Sequence, residues 1–241
     1  MRQITVRNIT IDVIKKDIKN IHLAVYPPTG RVRIATPLET DEEQIRLFAV
    51  SKINWIKKYR KKFAEQKRET KREYVSGESH YFEGRRYLLN VIYHNEKPKI
   101  EIRSKTHIDL YVREGSNLGK REKVLNEWYR ERLKENIPPL IKKWTKKIGV
   151  ELNDWQVKKM RTKWGTCNTE AKRIWLNLEL AKKPVHCLEY IIVHEIVHFI
   201  ERHHNDHYIS LMDKYLPNWK LCRDELNQFV LSFVDWKEDL N

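Results

Sequence analysis

His194, Glu195 and His198 form the pattern H-E-x-x-H, the arrangement in this chain with the clearest capacity for chemistry. Two histidines four apart lie on one face of an α-helix, close enough for both imidazoles to share a metal ion. Glu195, one residue beyond the first histidine, is placed to reach a water on that metal rather than the metal itself. Leu188, Tyr190, Ile191, Ile192 and Val193 precede the motif, and Phe199 and Ile200 follow it. A helix apolar on nearly every other face is a buried one, and polar side chains in a buried helix need a partner. A metal ion supplies it. Past the motif, His204 stands six residues beyond His198, where a turn can bring it back to complete a three-ligand site with one open position.

The chemistry expected of such a site is zinc-dependent hydrolysis. Zinc held by three neutral imidazoles keeps its charge at the open position and lowers the pKa of water there from about 15.7 towards about 7. Glu195 then serves as general base, taking the proton from that water and passing it to a leaving amine. The developing oxyanion needs one further donor, for which Arg161, Tyr208 and His207 are candidates. Arg161 has an equally good reading as a structural partner of a carboxylate, and Trp164 and Gly165 read as packing and turn residues under the helix. A purely structural zinc is disfavoured, because structural sites are closed by four ligands, often cysteines, and Cys167, Cys187 and Cys222 are not spaced for one. Hydrolysis of a non-peptide amide stays open as an alternative.

Elements must hold this site, and composition bounds them. The chain has 241 residues, 40% of them hydrophobic, with eight Trp and eleven Tyr, enough for one large core or two modest ones. Charged residues make up 34% and Gly and Pro are few, which suits a helix-rich protein. No apolar run reaches membrane-span length, and residues 1–6 do not read as a signal peptide. Unpaired cysteine spacing and the missing leader predict a cytoplasmic protein without disulfides or membrane contact. The net charge is +15, concentrated in Lys52–Arg72, with ten basic residues against two acidic ones, and in Lys120–Lys147. Such an excess attracts polyanions, so nucleic acid is a candidate partner of the basic N-terminal region. Against that, a solvated helix face explains the same charge, and these helices show no Gly-rich phosphate loop and no exposed aromatic pair.

Period-two alternation predicts strands over residues 9–14, 21–26 and 31–35, with a turn at Pro27-Pro28-Thr29-Gly30. A helix starts at Thr40-Asp41-Glu42-Glu43 and continues amphipathically through Ile45, Phe48, Ile53, Trp55 and Ile56. Further strands fall at 79–82, 87–93, 99–103 and 107–112, in a strand-turn-strand pattern similar to the first. Gly115–Gly119 reads as the linker, which sets domains of 1–118 and 119–241. A long helix follows, interrupted near Pro138-Pro139. Then come strands at 155–160 and 173–178, the motif helix, and a last helix carrying Leu221, Leu226, Phe229, Val230 and Phe233 towards the core. The fold class expected is α+β, a β-rich N-terminal region followed by a helical catalytic domain.

Several segments together resemble a known family. Met160–Cys167 (MRTKWGTC), Ile174-Trp175-Leu176-Asn177, Tyr190–His198, His204 and Met212–Trp219 follow in the order seen in the YgjP-like metallopeptidases, relatives of the SprT-like zincins. The Trp55-Ile56-Lys57-Lys58 helix matches that family's N-terminal region, so the resemblance covers most of the chain. It implies a minimal zincin fold with an added β-rich region, a peptide or protein substrate, and His204 as third ligand. It further implies that the strand carrying Asn177 edges the cleft and pairs with an extended substrate. By analogy with the SprT-like relatives, a nucleic-acid-associated protease acting on DNA-bound protein is the alternative. The chain departs from the family at His203 and Asn205, where Asn and Ser are usual, which leaves His203 and His207 in contention with His204. Glu201 stands where a metzincin has its turn glycine, which separates the chain from that group.

Overall fold

A computed structural model describes residues 2–26, 29–65, 72–160 and 163–228. The fold is α+β and divides into two compact units, Met1–Lys67 and Arg68–Asn241.

The first unit contains β1 (Arg2–Val6), β2 (Ile9–Lys15), β3 (His22–Tyr26), β4 (Arg31–Thr36), α1 (Glu42–Ser51) and α2 (Ile53–Glu65). Its sheet runs β1-β2-β4-β3, with β2 and β4 parallel and the other pairs antiparallel. Arg7 and Asn8 close the β1–β2 hairpin with φ of 46° and 64°, the pair of left-handed residues that matches strand twist in a two-residue turn. Alternating side chains such as Ile9, Ile11 and Val13 bury one face against Ile45, Ala49, Ile53 and Ile56 of the helices. The single helix expected from residue 40 onwards is broken at Lys52, which caps α1 before α2 begins. Along α2, Trp55 and Tyr59 pack at 4.4 Å between ring centroids and Tyr59 and Phe63 at 6.2 Å. Spacing by four places all three on one stripe. Trp55 is exposed, so the basic helix does carry an aromatic pair within reach of solvent, contrary to the sequence reading.

The second unit contains β5 (Ser79–Phe82), β6 (Arg85–Tyr93), β7 (Lys99–Ile102), β8 (His107–Val112), α3 (Leu118–Ile148), β9 (Asp154–Lys158), β10 (Gly165–Asn168), β11 (Arg173–Asn177), a 3-10 turn (Leu178–Lys182), α4 (Val185–Val197), α5 (Asp206–Tyr215) and α6 (Trp219–Gln228). Its first sheet, β5-β6-β8-β7, repeats the order and directions of the N-terminal sheet. Glu83 and Gly84, at φ 49° and 79°, repeat the turn as well. The similarity seen in sequence is thus a repeated topology.

The expected linker is a helix entry instead. Asn117 caps α3 by accepting from the Lys120 N–H at 3.0 Å, and Ser116 is buried. Leu89, Ile108 and Leu110 of the sheet share one core with Leu125, Tyr129 and Leu133 of α3 and with Ile192 and Val193 of α4. The chain therefore divides near Lys67, because burial of β6 and β8 requires α3.

Nor do Pro138 and Pro139 interrupt α3, which runs continuously for 31 residues. Each proline removes a hydrogen bond to the carbonyl four residues earlier, at Lys134 and Glu135. All four residues lie on the exposed face, where water satisfies those carbonyls. The buried stripe Leu125, Tyr129, Leu133, Ile137, Trp144 and Ile148 holds the helix straight through. Of the last helix, Leu226 is buried as expected, Leu221 faces solvent instead of the core, and Phe229, Val230 and Phe233 lie outside the described residues.

Candidate active site

α4 is buried on almost every side by α3, α5, α6, β10 and β11. Its start is set by a tight contact: Gly84 lies under Pro184, where an added Cβ would stand 2.6 Å from Pro184 Cγ. The Glu83 and Gly84 N–H groups donate to the Ala181 and Lys182 carbonyls at 2.9 and 3.2 Å. The β5–β6 turn thereby fixes the entry of the motif helix.

At the other end of α4, His194 and His198 face one another with their Nε2 atoms 3.3 Å apart. His204 Nε2 lies 3.3 Å from His194 Nε2. Three ring nitrogens pointing at one spot have no mutual hydrogen-bonding arrangement that satisfies them all, whereas a cation does. The backs of the rings are held too. His198 Nδ1 donates to the Glu201 carbonyl at 3.0 Å, which leaves the Nε2 lone pair free. His194 Nδ1 lies 2.6 Å from the Tyr208 hydroxyl, and with that nitrogen as donor the phenol hydrogen is left for the His194 carbonyl at 3.5 Å. Burial, then the neighbouring imidazoles, push His194 down to about 3, so it is neutral at physiological pH. The donor set fits a divalent metal.

Of the three histidines in contention past the helix, His204 is the one brought to the pair. His203 donates its backbone N–H to Glu201 Oε1 at 3.0 Å, and His207 pairs with Glu201 Oε2 at 3.3 Å, both rings exposed. Glu201, noticed in sequence only as the wrong residue for a metzincin turn, thus organises the loop with its carboxylate and its carbonyl. Asn205 accepts from the Tyr208 N–H at 2.9 Å and caps α5. An asparagine serves as well as serine there, which explains the departure from the family pattern.

Two of the expected oxyanion donors are corrected by this geometry. Tyr208 is 2% exposed, does not line the cleft, and stacks on His198 while its hydroxyl contacts His194. Burial holds its phenol far above the ordinary value, so it stays a neutral ring behind the ligands. His207 is spent on Glu201 and is likewise absent from the cleft wall. Arg161 lies outside the described residues. Asn177 also differs from expectation: β11 is the central strand of the sheet β10-β11-β9, so it has no free edge. Its side chain donates to the Met160 and Lys163 carbonyls at 2.8 and 2.7 Å and accepts from the Glu179 N–H at 3.2 Å. Asn177 ties the strand to the chain leading into β10.

Glu195 is 5% exposed and faces a cleft of about 770 Å³ along β10. Burial pushes its carboxyl up to about 7, against the opposing pull of the Cys167 thiol, which hydrogen-bonds it, and of the Lys163 charge. The same burial, with Glu195 beside it, pushes Cys167 up to about 11, so the thiol is a donor and not a thiolate. Gly165 is what makes room for this carboxylate. A Cβ there would stand 2.5 Å from Glu195 Oε1 and 2.8 Å from Ile191 Cγ2, inside the 3.5–4.0 Å or so of ordinary contact. We expect Gly165→Ala to displace Glu195 and lower kcat/KM about 100-fold while metal content is retained, since a misplacement of about 1 Å costs about that much. Unchanged kcat/KM in that variant would remove Gly165 from the site. Neither Cys167 nor this reason for Gly165 is legible in sequence, because both act from β10 onto α4, far along the chain.

Two imidazoles from one helix end, a third brought to them by the following loop, a buried carboxylate beside them and an open cleft with an edge strand define a metallopeptidase. The YgjP-like metallopeptidase domain matches residues 19–229, and the chain belongs to that family. A search of curated proteins finds no match. Among solved structures, the metallopeptidase zymogen abylysin of Pyrococcus abyssi is 15% identical, over 36% of this chain and 89% of that one, with a TM-score of 0.35. The zymogen jannalysin of Methanocaldococcus jannaschii is 19% identical, over 39% and 88%, with a TM-score of 0.36. Among the described residues no helix is long and apolar enough to cross a membrane.

Proposed function

We propose that this chain hydrolyses peptide bonds with zinc held by His194, His198 and His204, and with Glu195 as general base. The observation that carries the reading is the convergence of three imidazoles beside a buried carboxylate that lies outside the ligand set. Three nitrogen ligands with an open position are the pattern of catalytic zinc, and imidazole suits zinc among the available metals. Bound there, zinc supplies a Lewis acid that acidifies water and polarises a carbonyl. Glu195, held near neutrality by burial, takes the proton of the attacking water and delivers it to the leaving amine. Cys167 steadies the carboxylate by its hydrogen bond, and Tyr208 and the Glu201 carbonyl hold two imidazoles with Nε2 forward. β10, the outer strand of its sheet and a wall of the cleft, is the edge on which an extended peptide pairs. Screening a peptide library with and without chelator tests the reading. Cleavage that survives complete metal removal, or attack on non-peptide amides alone, would overturn it.

One observation favours a nucleic-acid partner as a second reading: the Trp55 and Tyr59 rings pack against each other beside the exposed Lys57, Lys58 and Lys61 on α2. If phosphates bind there, affinity for single-stranded DNA falls steeply with salt, and reversing Lys57, Lys58, Lys61 and Lys62 flattens that slope. Absence of binding at low salt returns α2 to a solvated face.

A further inference from the structure

Charge around the cleft is one-sided. Lys163 stands just before β10, Arg202 lies between His198 and His204, and Arg223 projects from α6, all three lining the cleft. Against them, among the described residues, the walls offer two carboxylates: Glu195, which is at the reacting centre, and Glu170 on the exposed rim. Arg223 is partly occupied, with Asp224 at 2.9 Å and the Trp219 ring beneath it. Arg202 and Lys163 have no carboxylate within ion-pairing distance among the described residues.

Arg202 is the one of the two carried on the loop that brings His204 to the helix pair. Its backbone neighbours are pinned, since Glu201 holds His198 through its carbonyl and the His203 N–H through its carboxylate. Arg202 lines the same cleft as Cys167 and Glu195, so the guanidinium belongs to the wall of the reacting centre. A planar fork of donors with no partner among the described residues, in a concave site walled by Trp164, Trp175 and Tyr190, matches a carboxylate. A cleft of one sign also concentrates ligands of the other sign and repels its own.

We infer that the cleft selects peptides carrying an acidic side chain next to the scissile bond, with Arg202 as the residue that reads it. The inference rests on the peptidase reading above and names its substrate class. A basic residue at the same place meets Arg202 and Lys163 unscreened and is rejected. Arg202 is here a specificity residue, and its contribution falls on binding instead of on the bond-breaking step.

Two fluorogenic peptides, identical except for Glu or Lys beside the cleaved bond, test this with the full-length chain. The Glu peptide is expected to have kcat/KM at least 10-fold higher, carried mainly by KM, and Arg202→Glu is expected to invert the preference. Binding of the same peptides to Glu195→Gln, followed by Trp fluorescence, gives a readout that needs no turnover, and the Glu peptide is expected to bind tighter. Preferential binding without cleavage of either peptide supports the charge selection while sinking the peptidase reading. Cleavage of both with equal kcat/KM, unchanged in Arg202→Glu, overturns the selection and leaves the peptidase standing. A fall in kcat alone, equal for both peptides in Arg202→Ala, makes Arg202 an oxyanion donor and also overturns it. No binding and no cleavage refutes both.

Discussion

Hydrolysis by the Glu195→Gln variant is expected to fall by about 10²–10⁴, with metal content and melting temperature nearly unchanged. Glutamine keeps the shape of the side chain and can still hydrogen-bond water, but it accepts no proton. The site tolerates the exchange sterically, since the space left by Gly165 fits either head group. Burial that raises the Glu195 carboxyl disfavours the charged form, and the neutral amide carries no such cost. Stability should therefore hold or rise slightly while turnover collapses. Steady-state kinetics on a cleaved peptide, with elemental analysis of the same preparation, separates the outcomes. A wild-type rate would make the mechanism wrong, and loss of metal would make Glu195 a ligand.

The other large effect concerns the metal itself. Wild-type protein is expected to carry about one zinc per chain, and His198→Ala close to none, because three ligands with an open position become two. Removal of a partner that only outer contacts support costs about 10–100-fold in affinity, and removal of a direct ligand costs more. Metal that binds only the folded chain also stabilises it, so chelator should lower the melting temperature of wild type and leave His198→Ala unmoved. His204→Ala should behave like His198→Ala, and His203→Ala like wild type. Full occupancy in His198→Ala refutes the ligand set. Loss in His203→Ala with none in His204→Ala would move the third ligand by one residue.

How much of this could be read before the structure depends on the range of each interaction. The spacing of His194 and His198 is a property of one helix turn, and the apolar residues around them announce burial, so the motif and its helix were legible directly. All strands of the two four-stranded sheets except β1 showed by alternation, and the family by its run of motifs. Short elements without a clear period were not visible. β1 and α5 went unassigned, and β10, only four residues long, passed as a turn. Pro138 and Pro139 misled because their cost depends on which face they occupy, and that is decided by the packing of the whole stripe.

By itself, then, the sequence determined the H-E-x-x-H helix, its burial, the α+β class and the family. The tertiary structure alone decided which of His203, His204 and His207 turns back to the helix pair, because Glu201 and Asn205 fold that loop. It made β10 the open edge instead of β11, since strand order arises from pairing between distant segments. It turned Tyr208 from a substrate contact into a support behind His194, and it gave Gly165 its reason in the volume of Glu195. Local periodicity is written in neighbouring residues, whereas convergence on a site depends on contacts that only the folded chain brings within reach.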